Sequence, residues 1–315
     1  MYKIKTKEIS RSMRFRGALI RFVLPYYSVP LLRTLSTLMR FTFPTSTFWP
    51  SLPSKAIQIK RADGSLLRAL VFKPQRKNKE KLPAVLWFYG GGYAMGSPLV
   101  DKRYIVDFVK RTGSILIAPF YTQSPVKPFP AAHNDGYLAL EYIYENASSL
   151  GLDRDRIAVA GNSAGGGLAT SVVLRARDEG KIKVNCFFPI YPMLSDVEGP
   201  FSDAPVWNTK SDISAWKLYL RDDYQTNNIS PYAAPLRSDS FKGFPPMCTY
   251  IGTVDPFLSS TREFVKRLKE DGVETAYKEY TGAFHAFDLL TTTREAADAR
   301  SFLLENYKRW QKCNE

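Results

Sequence analysis

Histidine and cysteine are both scarce in this chain, with two and three residues among 315. Cys186, Cys248 and Cys313 are odd in number and far apart, which excludes a disulfide framework and the paired spacing of a zinc site. A reducing, cytoplasmic setting is the expectation. A membrane-spanning run is also missing. The longest uncharged stretch near the N-terminus, residues 22–32, holds 11 residues, with Arg21 before it and Pro25 and Pro30 within it. That is too short for a bilayer and poorly built for a signal peptide. There is no internal repeat and no low-complexity tract. Acidic residues are rare at one end only: residues 1–45 carry Glu8 against nine Lys and Arg, a formal +8 out of the chain's +14. A nucleic-acid-binding protein would place such charge on a recognisable recognition fold, and none is present. A solvated basic face is the first expectation, and attraction of the arm to an anionic membrane surface is the alternative.

What the chain has in quantity is apolar residues, 44%, enough for the core of one large domain. Phe15, Leu19, Phe22 and Val23, then Leu31, Leu35, Leu38 and Met39, recur at helical spacing and predict two amphipathic helices. A proline-aromatic linker follows (Phe43-Pro44, Phe48-Trp49-Pro50, Pro53). Strands are expected at 55–61 and 66–73 around the Asp63-Gly64 turn, then at 84–89, 114–119, 156–161, 184–190, 247–252 and 275–280. Helices are expected at 102–111, 131–146, 164–179, 256–270 and 294–311. Eight strands, the first pair antiparallel and the rest separated by helices, specify an α/β fold with a mostly parallel sheet covered on both faces. Residues 73–81 read as a solvated basic loop. Residues 195–244 hold Trp207, Trp216, Tyr219 and Tyr224 but no strand pattern, and an insertion of that size is a lid or binding element.

The chemistry centres on Gly161-Asn162-Ser163-Ala164-Gly165, lying between an apolar strand and a helix. This is the Gly-x-Ser-x-Gly elbow, in which the glycines admit a tight turn that lifts the serine hydroxyl out of the sheet. A serine nucleophile needs a base, and only two histidines are available. His285 follows the last strand, where the order nucleophile, acid, base puts it; His133 precedes the elbow and is expected as a surface or helix-start residue. Asp255 follows the strand at 247–252 and is the expected acid, although Asp-Pro also suits a helix cap. Asp271 and Asp288 are the alternatives, but neither follows a strand. Gly90, Gly91 and Gly92, after the third strand, supply a loop whose amides can approach an oxyanion, together with Ala164 at the helix start. A phosphate loop is excluded because no Lys-Ser/Thr follows the glycines.

Taken together, these blocks make the chain resemble the hormone-sensitive-lipase-like carboxylesterases of the α/β-hydrolase fold. The resemblance runs from about Pro83 to the C-terminus through 89–97, Pro128-Phe129-Pro130-Ala131-Ala132, 161–166, Ser230-Pro231-Tyr232-Ala233-Ala234-Pro235-Leu236, 252–257 and 282–287. It implies residues 46–315 as the catalytic domain, with a cap made from residues 1–45 and the insertion 195–244. Three features depart from the family pattern. Tyr89 stands where the family has histidine before the glycines, and Asn162 where it has aspartate before the nucleophile. Phe120-Tyr121-Thr122-Gln123-Ser124-Pro125-Val126 replaces a block that usually carries Asp, Arg and Glu. The expected activity is hydrolysis of short-to-medium acyl esters of an apolar small molecule, with no metal and no cofactor. Amide or thioester hydrolysis by the same groups, and ligand binding without catalysis, are the other readings. Aromatic residues of the cap segments (Phe41, Phe43, Phe48, Trp49, Phe201, Trp207, Trp216) either face an apolar substrate or form the cap's own core.

Overall fold

The computed structural model describes residues 2–42, 48–49, 52–75, 81–289 and 293–312, with the side chains of 40–42, 48, 49 and 312 left aside. The linker aromatics Phe41, Phe43, Phe48 and Trp49, most of the basic loop at 73–81 and Cys313 therefore lie outside the described residues or side chains. Among the described residues nine strands form one sheet: β1 (Phe48–Trp49), β2 (Leu52–Lys60), β3 (Leu66–Phe72), β4 (Leu82–Phe88), β5 (Ile115–Pro119), β6 (Leu152–Asn162), β7 (Cys186–Ile190), β8 (Met247–Gly252) and β9 (Thr275–Tyr280). The eight expected strands are all present, and β1 adds a two-residue pairing at the edge. Their order is β1-β2-β3-β5-β4-β6-β7-β8-β9, antiparallel through β3 and parallel from β5 to β9. Gly64, at φ +85°, and the Asp63 side chain, which accepts the Ser65 amide at 3.0 Å, close the β2–β3 hairpin.

The helices are α1 (Arg14–Val23), α2 (Val29–Thr42), α3 (Lys102–Thr112), α4 (Ala131–Glu145), α5 (Ala147–Leu150), α6 (Ala164–Glu179), α7 (Thr209–Leu220), α8 (Leu258–Glu270) and α9 (Arg294–Lys312). Successive side chains of β4 show how both sheet faces are covered. The Trp87 ring meets Tyr104 and Phe108 of α3, while Phe88 packs beside Gly136 of α4 and Leu168 of α6. Because α6 lies directly under the central strands, it is buried on nearly every side, and small residues fill its first turns. The last helix before β9 begins at Leu258, two residues later than the sequence pattern indicates. Asp255 and Pro256 form a turn there, in which the Asp255 carboxylate takes the Phe257 amide at 2.9 Å.

The N-terminal arm and the insertion lie on each other above the strand ends. Tyr2 pairs with Phe201, Asn208 donates to the Pro25 carbonyl at 2.6 Å, and the Tyr27 amide donates to Ser211 at 2.9 Å. The arm also clasps the chain after β9: the Ser10 amide donates to the Gly282 carbonyl at 2.9 Å, and Gly17 packs against the Phe284 ring. Among the described residues the insertion contains no strand. No helix among them is long and apolar enough to cross a membrane.

Candidate active site

Ser163 stands between β6 and α6 at φ +54°, ψ −122°, a conformation that L-residues avoid and that costs on the order of 1–3 kcal/mol. The surrounding structure enforces it. The Ser163 amide donates to the Ile190 carbonyl, and its carbonyl accepts from Met193 and Gly167, at 2.9, 3.0 and 3.0 Å. A Cβ on Gly161 would lie 2.3 Å from the Gly165 carbonyl oxygen, and one on Gly165 only 2.1 Å from that of Phe88. Glycine is required at both positions because strand and helix touch there.

The loops after β8 and β9 carry the partners. His285 Nε2 is 2.8 Å from Ser163 Oγ, and His285 Nδ1 is 2.7 Å from Asp255 Oδ2. All three side chains are buried. The second Asp255 oxygen accepts the Phe257 amide, so the capping role and the contact with His285 coexist in one carboxylate. The two loops are bound to each other: Thr253 donates its amide to Tyr280, Val254 donates to Ala283, and Gly282 donates to the Thr253 hydroxyl. Tyr191 and Phe257 hold the imidazole edge-on, with ring centroids 4.9 and 5.2 Å away.

The other titratable candidates lie elsewhere. Asp288 accepts the Tyr191 and Tyr250 hydroxyls at 2.9 and 2.6 Å, and burial pushes its carboxyl up to about 8. Asp271 receives the Phe241 amide in the turn before β8. His133 is at a helix start, as expected, but not at the surface. It is buried against the Tyr232 ring with Nδ1 2.7 Å from Ser171 Oγ, and burial lowers its pKa to about 4.

The glycine loop comes within reach of the serine: a Cβ on Gly90 would sit 3.3 Å from the Ser163 Cβ. Gly91 and Gly92 have φ of +120° and +61°, and a Cβ on Gly91 would meet the Met95 carbonyl at 2.2 Å. Among the described residues no hydrogen bond engages the amides of Gly91, Gly92 or Ala164. Gly90 differs, because its amide is bonded to the Asp101 carboxylate.

Asp101 is the residue that the motifs do not reveal. It is buried between β4 and the elbow, accepting Trp87 Nε1 and Asn162 Nδ2 at 2.9 Å each, and desolvation raises its pKa to about 6. The only signal in the sequence is Asn162 itself, an uncharged residue before the nucleophile that can face an acid. Tyr89 is accounted for in a similar way. It stacks on Tyr121 with centroids 4.2 Å apart, and the two exchange hydroxyl-to-carbonyl bonds. Gln123 donates to the Gly96 carbonyl at 2.8 Å and accepts from Ser36 of α2 at 2.6 Å. Neutral groups thus brace the loop where ionised ones are missing. An ion pair does stand beside this block, between Arg61 and Asp135, whose carboxylate also takes the Thr122 amide and hydroxyl.

A cavity of about 140 Å³ opens on Ser163 and His285, walled by Gly90, Gly91, Tyr27, Met39, Met95, Val206, Trp207 and Leu289. Of the aromatics of the insertion, Trp207 faces this space, whereas Phe201 pairs with Tyr2 and Trp216 packs against Tyr93 of the glycine loop and Tyr219. Among the described residues no three His, Cys, Asp or Glu side chains are grouped as metal ligands.

Comparison with known proteins adds independent information. The family described as alpha/beta hydrolase fold matches residues 85–289. An esterase of Gibberella moniliformis is 30% identical over 247 residues, 75% of this chain and 74% of its own. An arylesterase of Saccharolobus solfataricus is 29% identical over 69% of this chain and 71% of its own. Among solved structures, a bacterial heroin esterase superposes with a TM-score of 0.86 at 28% identity, covering 97% of this chain and 99% of its own.

Proposed function

The chain belongs to the alpha/beta hydrolase fold family and is a serine hydrolase acting on ester bonds; we propose that Ser163, His285 and Asp255 carry the reaction through an acyl-enzyme. The observation behind this reading is the unbroken line of hydrogen bonds from Ser163 through His285 to Asp255, at 2.8 and 2.7 Å. Ser163 Oγ attacks the ester carbonyl while His285 Nε2 takes its proton. The Asp255 carboxylate holds the imidazole with its proton on Nδ1 and stabilises the imidazolium. Negative charge develops on the former carbonyl oxygen next to the amides of Gly91, Gly92 and Ala164. Each such donor is worth about 10²–10³ in kcat. The alkoxide leaves with the proton from His285, and water then repeats the sequence on the acyl-enzyme.

The substrate is an uncharged apolar ester with a short-to-medium acyl group. Beside Ser163 and His285 the cavity wall presents Met39, Met95, Val100, Val206, Trp207, Ala286 and Leu289, and the one acid there, Asp101, has its oxygens taken by three donors. Ser163→Ala tests the assignment. The variant is expected to lose nitrophenyl ester hydrolysis by on the order of 10⁴-fold or more and to escape fluorophosphonate labelling, with its fold unchanged. Undiminished turnover would overturn it.

A further inference from the structure

The helix α1 has two apolar faces, and the body of the protein uses only one. Inward, Met13 and Gly17 are buried, Ile20 packs on the core, and Arg21 pairs with Asp203. Outward, Phe15, Leu19, Phe22 and Val23 are 80%, 51%, 87% and 70% exposed. Their spacing of i, i+4, i+7 and i+8 lines them along one stripe, and Ala18 falls on the same stripe. Tyr26 and, from α2, Leu38 add 42% and 53% exposed apolar side chains close by in sequence. Exposed apolar side chains scattered singly need no explanation; a helical stripe does.

The stripe is held outward. The Ser10 bond to Gly282, the Gly17 contact with Phe284 and the Arg21–Asp203 pair fix the rotation of α1, so these side chains cannot turn inward. The arm that carries the stripe is cationic. Lys3, Lys5, Lys7, Arg11 and Arg33 are exposed, and the arm carries a formal +8. Its one acid, Glu8, is already engaged by the Tyr2 hydroxyl and the Lys5 amide.

We propose that this face of α1 docks the protein on an anionic phospholipid surface. An apolar stripe edged by Lys and Arg is the pattern of a helix lying in the plane of the bilayer interface, where aromatic and aliphatic side chains enter the acyl boundary and cations meet headgroups. The length agrees: ten residues rise about 15 Å, half of a hydrocarbon core, so α1 lies on the membrane and does not cross it. Charge argues against a second copy as the occupant, since face-to-face pairing would oppose two arms of +8. The inference stands apart from the catalytic assignment, because none of these side chains belongs to the site.

The test uses the full chain and vesicles of phosphatidylcholine with or without phosphatidylglycerol. The protein should sediment with the anionic vesicles, far less with the neutral ones, and the binding should weaken as salt is raised. Phe15→Ser/Phe22→Ser should bind at least tenfold more weakly while keeping the wild-type thermal midpoint, since both rings are exposed. Arg11→Glu with Lys7→Glu, a change that spares the stripe, should remove the preference for anionic lipid. Three results would overturn the proposal: no binding to phosphatidylglycerol vesicles, equal binding by the double serine variant, or a dimer in light scattering that this variant dissolves without any vesicle binding.

Discussion

The side-chain amide of Asn162 stands 2.9 Å from the carboxylate of Asp101, joining the residue before the nucleophile to the segment that follows the glycine loop. The same carboxylate holds the Gly90 amide and the Trp87 indole. One buried acid therefore ties the glycine loop to the strand end that carries Ser163. Asp101→Asn should lower kcat by about tenfold with little change in KM, because a group that positions the loop acts on the transition state more than on ground-state binding. A change confined to KM would assign Asp101 to substrate binding.

The ionisation of Asp101 also gives a stability signature. Its folded pKa is about 6 against 3.8, so between those values the folded state holds a proton that the unfolded state has lost. Stability therefore falls as pH rises through that window, by about 3 kcal/mol, and is level above it. The difference in unfolding free energy between wild type and Asp101→Asn, measured by denaturant at several pH values, should show this drop and no further change beyond pH 7.

His133 has the opposite sign. Burial lowers its pKa from 6.5 to about 4, so as pH falls through this window the unfolded state takes up a proton that the folded state refuses. Stability is lost on acidification, by about 3 kcal/mol, and restored above pH 6.5. His133→Asn should abolish this slope while leaving ester hydrolysis within about twofold. A hydrolysis rate that collapses in this variant would return His133 to the list of bases.

Gly91 offers a steric test of the loop. A Cβ would have to occupy space 2.2 Å from the Met95 carbonyl oxygen, at a φ of +120° that L-residues rarely adopt. Gly91→Ala should reduce kcat by about 10²-fold or more, the effect of displacing an oxyanion donor, as read by burst kinetics of a nitrophenyl ester.

Gln123 bridges the loop to the arm. Gln123→Ala leaves both the Gly96 carbonyl and the Ser36 hydroxyl without this partner, and unsatisfied buried groups cost about 1–3 kcal/mol each. A lowered thermal midpoint with reduced kcat is expected. An unchanged midpoint would mean that other groups restrain the loop.

The elbow, the placing of Asp255 and His285 beside Ser163, and the alternation of strands are legible because each depends on local sequence: a turn only glycine permits, a loop directly after a strand, a period of two or 3.6. Asp101 is not, since its importance comes from three donors that converge from β4, the glycine loop and the elbow. The burial of His133 is equally hidden. It depends on Tyr232, a residue of the insertion almost a hundred positions later, lying flat over the ring. The amphipathic pattern of residues 15–23 is visible, but which face points inward is decided by Gly17, where α1 approaches Phe284.

The bond between Ser10 and Gly282 also orders events in time. During synthesis the arm emerges more than two hundred residues before the loop bearing His285, so until that loop appears the arm rests on the insertion and on Gln123. Gly17 in the meantime lacks the Phe284 ring against which it packs. The arm is thus fastened in full by the same closure that brings His285 to Ser163, and a nascent chain stalled before β9 would lack both contacts.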